Sequence, residues 1–504
     1  MLLNHLPYDI LRYIAELLGS SSIVVLYDVC HLFRFLIKQT KNLHLATETI
    51  IKDATRSNNV HLYKYLVRIG FNINSLNWCE NAAYNGNLET LQWARENGCP
   101  WDIVTCHMAA RNGQLKCLQY ARENGCEWDS MTCTNAALNG SLEILQWAIQ
   151  HGCEWDTSTC TGAAKNGHLE VLQWAHKNGC PWEDTTCLVA ASFGHLKCLQ
   201  YAHENGCPWD SNVLDIASSN NHLDIIQYAH KNGCKLNDYI CTNAAQNGNL
   251  VMLQWAYENG CPWSVHVCIE AAANGHLEIL QYTRQYGCPW NAVVCSEAAA
   301  NGHLEILKYA HENGCEWDIF TCSAAAENGH LEILKYAHEN GCSWDKYTCC
   351  KAAQNGHLEI LKYAHEHGCP WDKHTCTNAA SNGHLTVLKY AHEHGCPLSD
   401  CICLYAAGAD SIEILEYIRE CHYRWDEKVC ALAAHYSHLE TLQWLHKHEC
   451  PWDKSTCKSA VLSGNILILQ WARNHGGPWD KEECYITALQ AHHIHIANWI
   501  MDQQ

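Results

Sequence analysis

The sequence predicts an all-α solenoid, a row of small helical hairpins in which each unit touches only its neighbours. Three observations carry that prediction. A glycine returns with a 27-residue period, at Gly86, Gly113, Gly140, Gly167 and Gly194, then from Gly248 to Gly383, and again at Gly464. The register survives where other residues fill the glycine slot, at Asn221, Asp410 and Ser437. Apolar residues inside each repeat follow helical spacing, and no stretch has the length and alternation of a strand. A strict period of this kind marks a repeat architecture, which supplies a binding surface more readily than a reaction chamber.

Residues 302–328 show the expected unit. Leu304, Leu307 and Ala310 make one apolar stripe. Gly314 falls where that helix should stop, as its left-handed terminal residue. A four-residue connection follows, and Asp318 is positioned to cap a second helix reaching about Asn328. Ala324 and Ala325 are small, so this helix can approach its neighbour closely. Trp317 has equivalents from Trp101 to Trp479, with Leu236 and Leu398 standing in twice. A large ring in every connection should wedge between hairpins and seal the core edge.

The chain has 34 cysteines, and 28 of them fall in two columns, Cys79 to Cys484 and Cys99 to Cys450. Equivalent positions of stacked hairpins lie about 8–10 Å apart, too far for a disulfide. The columns therefore read as reduced thiols acting as small hydrophobes, with a disulfide inside a repeat as the alternative. One or two cysteines per unit do not make a closed four-ligand zinc set, and no metal or cofactor is expected. Reduced thiols suit a cytoplasmic location, with the nucleus open as well.

Histidines form two further columns. His168, His195, His222, His276, His303, His330, His357, His384 and His438 follow the glycine slot and are placed to hydrogen-bond across the turn into the next unit. His176, His203, His230, His311, His338, His365, His392 and His446 fall on the more polar side of their helix. Many histidines titrating together would give a pH response. Glutamates recur as well, in the series containing Glu305 and Glu332 and that containing Glu312 and Glu339. They fit a basic patch on a partner, with plain solubility as the alternative, since a long thin stack needs a charged surface.

The first hairpin is expected at Ala46–Arg56 and Val60–Ile69, and the last near 481–501, where Ala491 takes the glycine slot; the count is about 17 hairpins. Irregular stretches at 211–240 and 398–440 are places for a bend, a contact or simple drift. The formal net charge of −20 argues against nonspecific attraction to nucleic acid or to an anionic membrane, so neither is expected as a partner. No run of 18 apolar residues is present to span a bilayer. Met1–His5 carries no basic region ahead of its apolar residues, and Pro7 and Asp9 follow, so a signal peptide is not expected. No phosphate loop, catalytic metal motif or nucleophile elbow occurs. Each recurrent Cys, His or Glu belongs to a column, whereas catalysis needs one unusual constellation, so no enzymatic activity is expected.

The run Thr321-Cys322-Ser323-Ala324-Ala325-Ala326-Glu327-Asn328-Gly329-His330-Leu331 resembles the ankyrin signature. Thr321 matches its threonine, Ala324-Ala325 its alanine pair, and Gly329-His330 its turn, while Cys322 replaces the usual proline. The usual repeat has 33 residues. The missing six fall between Gly314 and Thr321, where ankyrins project a β-hairpin finger. The resemblance implies an ankyrin-like solenoid with its fingers reduced to tight connections.

Residues 1–45 do not follow the period, and 46–504 do. The first segment resembles an F-box: Leu6, Pro7, Asp9, Ile10 and Leu11 match the family's opening, Leu17-Leu18 its apolar pair, and Leu26, Val29, Cys30, Phe33 and Arg34 its second run. It departs from the pattern at Gly19–Ser22, which lacks the usual acidic residue. F-boxes dock the Skp1 subunit of cullin-type ubiquitin ligases. The resemblance thus implies a Skp1-binding surface made by Leu6, Pro7, Ile10, Leu11, Ile14, Leu18, Leu26, Val29 and Phe33. The whole chain resembles the combined F-box and ankyrin-repeat proteins of giant DNA viruses infecting amoebae, which implies a ligase adaptor in the host cytoplasm whose solenoid holds a target protein. The alternative is a plain interaction scaffold or decoy, with residues 1–45 only capping the stack.

Overall fold

The computed structural model describes residues 77–503. They form 32 helices and no strand, paired into 16 hairpins. Two compact units divide at Leu236 and Asn237, so the described residues give six hairpins in the first and ten in the second. The expected hairpin at 46–69 and the segment 1–45 lie outside the described residues.

Each hairpin pairs two helices, here termed the Cys helix and the Leu helix after the residues they carry in all but Asn212–Ser219, which has no cysteine, and Ile494–Asp502, which has no leucine. Ile319–Glu327 and Leu331–Glu339 are representative. Asp318 caps the Cys helix as its position predicts, its carboxylate accepting from the Phe320 N–H at 3.0 Å. Gly329 then turns the chain at φ +85°, and the His330 N–H reaches back to the Ala325 carbonyl at 2.9 Å. The Leu helix ends in a Schellman turn. Gly341, at φ +89°, donates to the His338 carbonyl, and Cys342 donates to that of Ala337. Only Cys342–Asp345 remains before the next helix, too short for a finger.

The core sits between the paired helices. Thr321, Cys322, Ala325, Ala326, Ile333, Leu334 and Ala337 are all buried. Two expectations shift by a residue or two. The close-packed alanine pair is Ala325-Ala326, three residues before the turn glycine, and Ala324 faces outward, half-exposed. In the Leu helix Ile306 joins Leu307 and Ala310 in the core while Leu304 is half-exposed. A nine-residue helix points its wide apolar face where its partner lies, and a spacing rule leaves that choice open.

One column makes a poor use of burial. The hydroxyls of Thr105, Thr132, Thr159, Thr321, Thr348 and Thr456 are buried without a hydrogen-bond partner. At the same position other hairpins carry Ile240, Val267 and Val294, all fully buried. An unpaired buried hydroxyl costs free energy that an isosteric methyl does not. Thr321→Val and Thr348→Val should therefore each stabilise the protein by about 1 kcal/mol, read as a higher urea midpoint; unchanged or lower midpoints would show that the hydroxyls have partners in solution.

Neighbouring hairpins are tied at the turn glycines. The His330 ring lies over Gly302 of the preceding turn, where an added Cβ would meet its Cε1 at 2.8 Å. Its Nε2–H donates to the Ala300 carbonyl, at 3.1 Å the exposed end of the preceding Cys helix. The same bond to the preceding Cys helix is made by His168, His222, His276, His303, His357, His384 and His438, at 3.1–3.3 Å. The hydrogen bond expected across the turn thus exists, and glycine favours it in two ways, through the left-handed φ and the space left for the ring, although His438 makes the same bond over Asp410 at φ +56°. Gly314, by contrast, has φ +79° and open space around it. Gly314→Ala should cost about 1 kcal/mol from backbone strain alone, and Gly302→Ala roughly twice that, since the ring must also move. Equal losses in urea unfolding would contradict the tether.

Among the described residues no cysteine is joined in a disulfide. Where both are present the two columns meet inside a hairpin, one thiol coming from the Cys helix and the other from the connection after the Leu helix. The Cys322 thiol hydrogen-bonds Cys342, and this together with burial pushes its pKa up. Cys342 in turn donates to the Asp318 carbonyl of the preceding connection at 3.3 Å, a contact repeated from Cys126 to Cys450.

The irregular stretches are local. Asn212–Ser219 and Ile402–Gly408 are shortened Cys helices, of eight and seven residues. The unit boundary falls within the first irregular stretch. Asn221, Asp410 and Ser437 hold the glycine slot at φ +69°, +56° and +67°. In the last hairpin the left-handed residue is His492, not Ala491, because the helix Lys481–Gln490 has ten residues and runs one further. His493 then makes the tether, to Leu462 at 3.3 Å.

Candidate protein-binding groove

The repeat-column residues singled out as candidate chemistry are absorbed by structure. The second histidine column is not simply a polar face: His311 stacks flat on Trp317 at 3.7 Å and 10°, and His338 on Trp344 likewise. Where histidine is absent, Arg95, Arg122, Arg284 and Arg473 lie over the equivalent tryptophan at 4.4–4.7 Å. Most tryptophans also meet a ring of the next Leu helix edge-on, as Trp317 does Tyr336 at 6.3 Å, and Trp209, Trp452 and Trp479 meet theirs tilted. The expected wedge is therefore a three-ring bridge between hairpins, its tryptophan half-buried. Among the described residues no three His, Cys, Asp or Glu side chains gather to hold a metal ion, and no helix is long and apolar enough to cross a membrane.

The acidic columns are partly neutralised. Glu305, Glu332 and Glu359 pair with Lys308, Lys335 and Lys362 of their own helices at 2.7–2.8 Å. That face is less acidic than its glutamate count suggests.

The surface that folding leaves unexplained lies on the Cys helices. Their second residue points away from the core, and its own backbone N–H is the one the aspartate cap holds. From 239 to 374 this position reads Tyr239, His266, Val293, Phe320, Tyr347 and His374, all exposed. Phe320 is 64% and Tyr347 58% exposed, high for side chains of this size. Small residues, Ser296, Ala300, Ser323 and Ala324, floor the gap between three successive Cys helices, so the rings flank a groove of about 480 Å³. Four carboxylates, Glu297, Asp318, Glu327 and Asp345, and one lysine, Lys351, edge it. Lys351 is taken by Glu327 at 2.7 Å. Asp318 and Asp345 serve as caps. Glu297 makes no ion pair among the described residues. Apolar rings over a small-residue floor, with unshared negative charge at the edge, suit a polypeptide ligand.

Two family models match. "Ankyrin repeats (3 copies)" covers residues 161–240, and "Ankyrin repeats (many copies)" covers 79–122. Residues 79–122 and 161–240 thus match ankyrin repeats. These are protein-interaction scaffolds, and the groove at 293–351 uses the same hairpin anatomy outside the matched stretches. Neither match reaches residues 1–45. No curated protein matches. Among solved structures the chain is similar to one described as "Crystal structure of the pentatricopeptide repeat protein PPR10 in complex with an 18-nt psaJ RNA element", at 13% identity over 88% of this chain and 82% of that one. The TM-score of 0.34 carries no argument about this chain. The expectation that nucleic acid is no partner rests on net charge, and the comparisons add nothing to it. The nine residues of the Skp1-like surface, Leu6 to Phe33, lie outside the described residues.

The ring bridges predict a pH response with a definite sign. Burial lowers the pKa of His176, His338 and His365, with the facing His367 and His394 adding to the effect on the last two and Glu339 and Glu366 opposing it. The folded pKa then lies below the unfolded value of about 6.5. Just below 6.5 the unfolded chain binds more protons, so stability is full above that pH and falls as acid protonates these rings. The thermal midpoint should be lower at pH 5.5 than at 7.5, and the gap should narrow in a His338→Gln/His365→Gln variant. Identical midpoints at both pH values would refute the assignment.

Proposed function

We propose that the chain is a substrate-recognition adaptor of a Skp1-cullin-type ubiquitin ligase. Residues 1–45 hold the ligase and the solenoid, 46–504, holds the target. The observation that carries the target half is the exposed row Val293, Phe320 and Tyr347 along the groove, which no packing role accounts for. The ligase half is supported by the residues of the F-box resemblance, with Leu6, Ile10 and Val29 at its apolar contact. An adaptor of this kind works by proximity: it binds two proteins at separate sites and supplies an effective concentration, so no chemistry of its own is required. The cytoplasm or nucleus is the place where the reduced cysteine columns and the ubiquitin machinery coincide. On the viral resemblance, the ligase would be the host's.

Purified Skp1 should be retained by the intact chain and lost on deleting residues 1–45 or on replacing Leu6, Ile10 and Val29 together with alanine. Those variants should keep the helical content of the solenoid, measured by circular dichroism. Absence of Skp1 binding by the intact chain would leave an interaction scaffold whose first 45 residues act as a cap.

A further inference from the structure

We infer that the groove reads an extended segment of its partner in steps of three residues, with an apolar side chain at every third position and lysine or arginine between. The inference rests on the reading of the Cys-helix face as the target site. It comes from matching two lengths. Val293, Phe320 and Tyr347 each occupy the second position of successive Cys helices, so they repeat at the stacking distance of neighbouring helices, about 8–10 Å. A polyproline-like chain rises about 3.1 Å per residue and completes a turn in three, so three residues advance by the same distance and present the same face, whereas in a strand residues three apart point to opposite faces. A helix would need about six residues for the same rise and would present a different face at each step.

The floor and edge narrow the chemistry. Ser296, Ala300, Ser323 and Ala324 are too small to fill the space between the rings, which leaves room for a side chain of leucine size at each step. The free carboxylate of Glu297 stands beside this floor, and the chain carries a net charge of −20. A cationic residue next to the apolar one at the Glu297 step is therefore attracted, whereas an acidic one is repelled. Lys351, held by Glu327, closes the basic option at its own step. An extended ligand is also the shape that many turn-linked hairpins can bind without rearranging, since each contributes one equivalent contact.

The test uses full-length protein and labelled 12-residue peptides read by fluorescence anisotropy. A (Leu-Pro-Lys)4 peptide should bind at least tenfold tighter than a (Leu-Lys)6 peptide or a (Leu-Pro-Lys-Pro)3 peptide, and tighter again than (Leu-Pro-Asp)4. Phe320→Ala with Tyr347→Ala should weaken it at least tenfold, Phe320→Tyr should hold most of the affinity, and Glu297→Gln should weaken it about threefold at low salt with the difference shrinking as salt rises. Phe320 and Tyr347 are exposed and Glu297 half-exposed at the groove edge, so the variants should melt like the wild type. Equal binding of all three periods, or wild-type binding by the double variant, would overturn the register. The two readings separate cleanly. If the double variant loses a coprecipitating target yet the peptides bind alike, the groove stands and the three-residue step falls. If the target is retained, the groove itself is not the site.

Discussion

Among the described residues nine junctions between hairpins share one contact, the imidazole laid over the preceding turn with its Nε2–H on the open carbonyl that ends the preceding Cys helix. A hairpin of two nine-residue helices cannot bury its own faces, so its order comes from its neighbours. The turn is where that dependence is enforced. Its left-handed φ lets the chain reverse, the missing Cβ admits the ring, and the ring satisfies a carbonyl that the helix end leaves open. One slot keeps the tether without glycine, since His438 reaches the Gly408 carbonyl at 3.1 Å over Asp410. Asp410 keeps its positive φ and is held from outside by Thr441, which donates to its carboxylate at 2.6 Å, with His438 at 3.6 Å.

Much of this was legible in the sequence because a strict period repeats each local signal many times. Aspartate ahead of the Cys helix, glycine after the Leu helix and histidine after the turn each have a local physical meaning, and each stands where that meaning places it. What was not legible depends on faces. The alanine pair lies one residue beyond its expected place because the signature fixes a composition, while the direction of the partner helix decides which alanines are buried. The flat stacking of His311 on Trp317 joins two rings across a Schellman turn, and only the turn geometry brings them together. The Glu305–Lys308 pairing removes charge that a residue count assigns to the surface. Residues 1–45, where the sequence carries its more specific functional pattern, lie outside the described structure.

The thiols illustrate how a column can imitate chemistry. The two cysteines of a hairpin, such as Cys322 and Cys342, meet as neighbours, which spacing along the solenoid alone would not suggest. Yet their setting opposes reactivity. The Cys322 thiol is fully buried, and its neighbour and its burial both favour the protonated form, while nucleophilic chemistry needs the thiolate. The outer thiol of each pair is already engaged with a carbonyl of the preceding connection. Cysteine here fills a space between alanine and valine in size and adds a weak donor where a backbone acceptor waits.

Once glycine, histidine, tryptophan, aspartate and the buried columns are assigned, few positions in a repeat remain free, and the second residue of the Cys helix is one of them. Packing does not choose it, since it points outward and its backbone is already fixed by the cap. In the first unit that freedom is used for Val104, Met131, Ser158 and Thr185, with no sustained character. From 239 to 374 it is used for Tyr, His, Val, Phe, Tyr and His in succession. Exposed rings lower solubility and stabilise nothing in the hairpin, so a run of them at one unconstrained position, above a floor kept small, is accounted for by a partner that covers them.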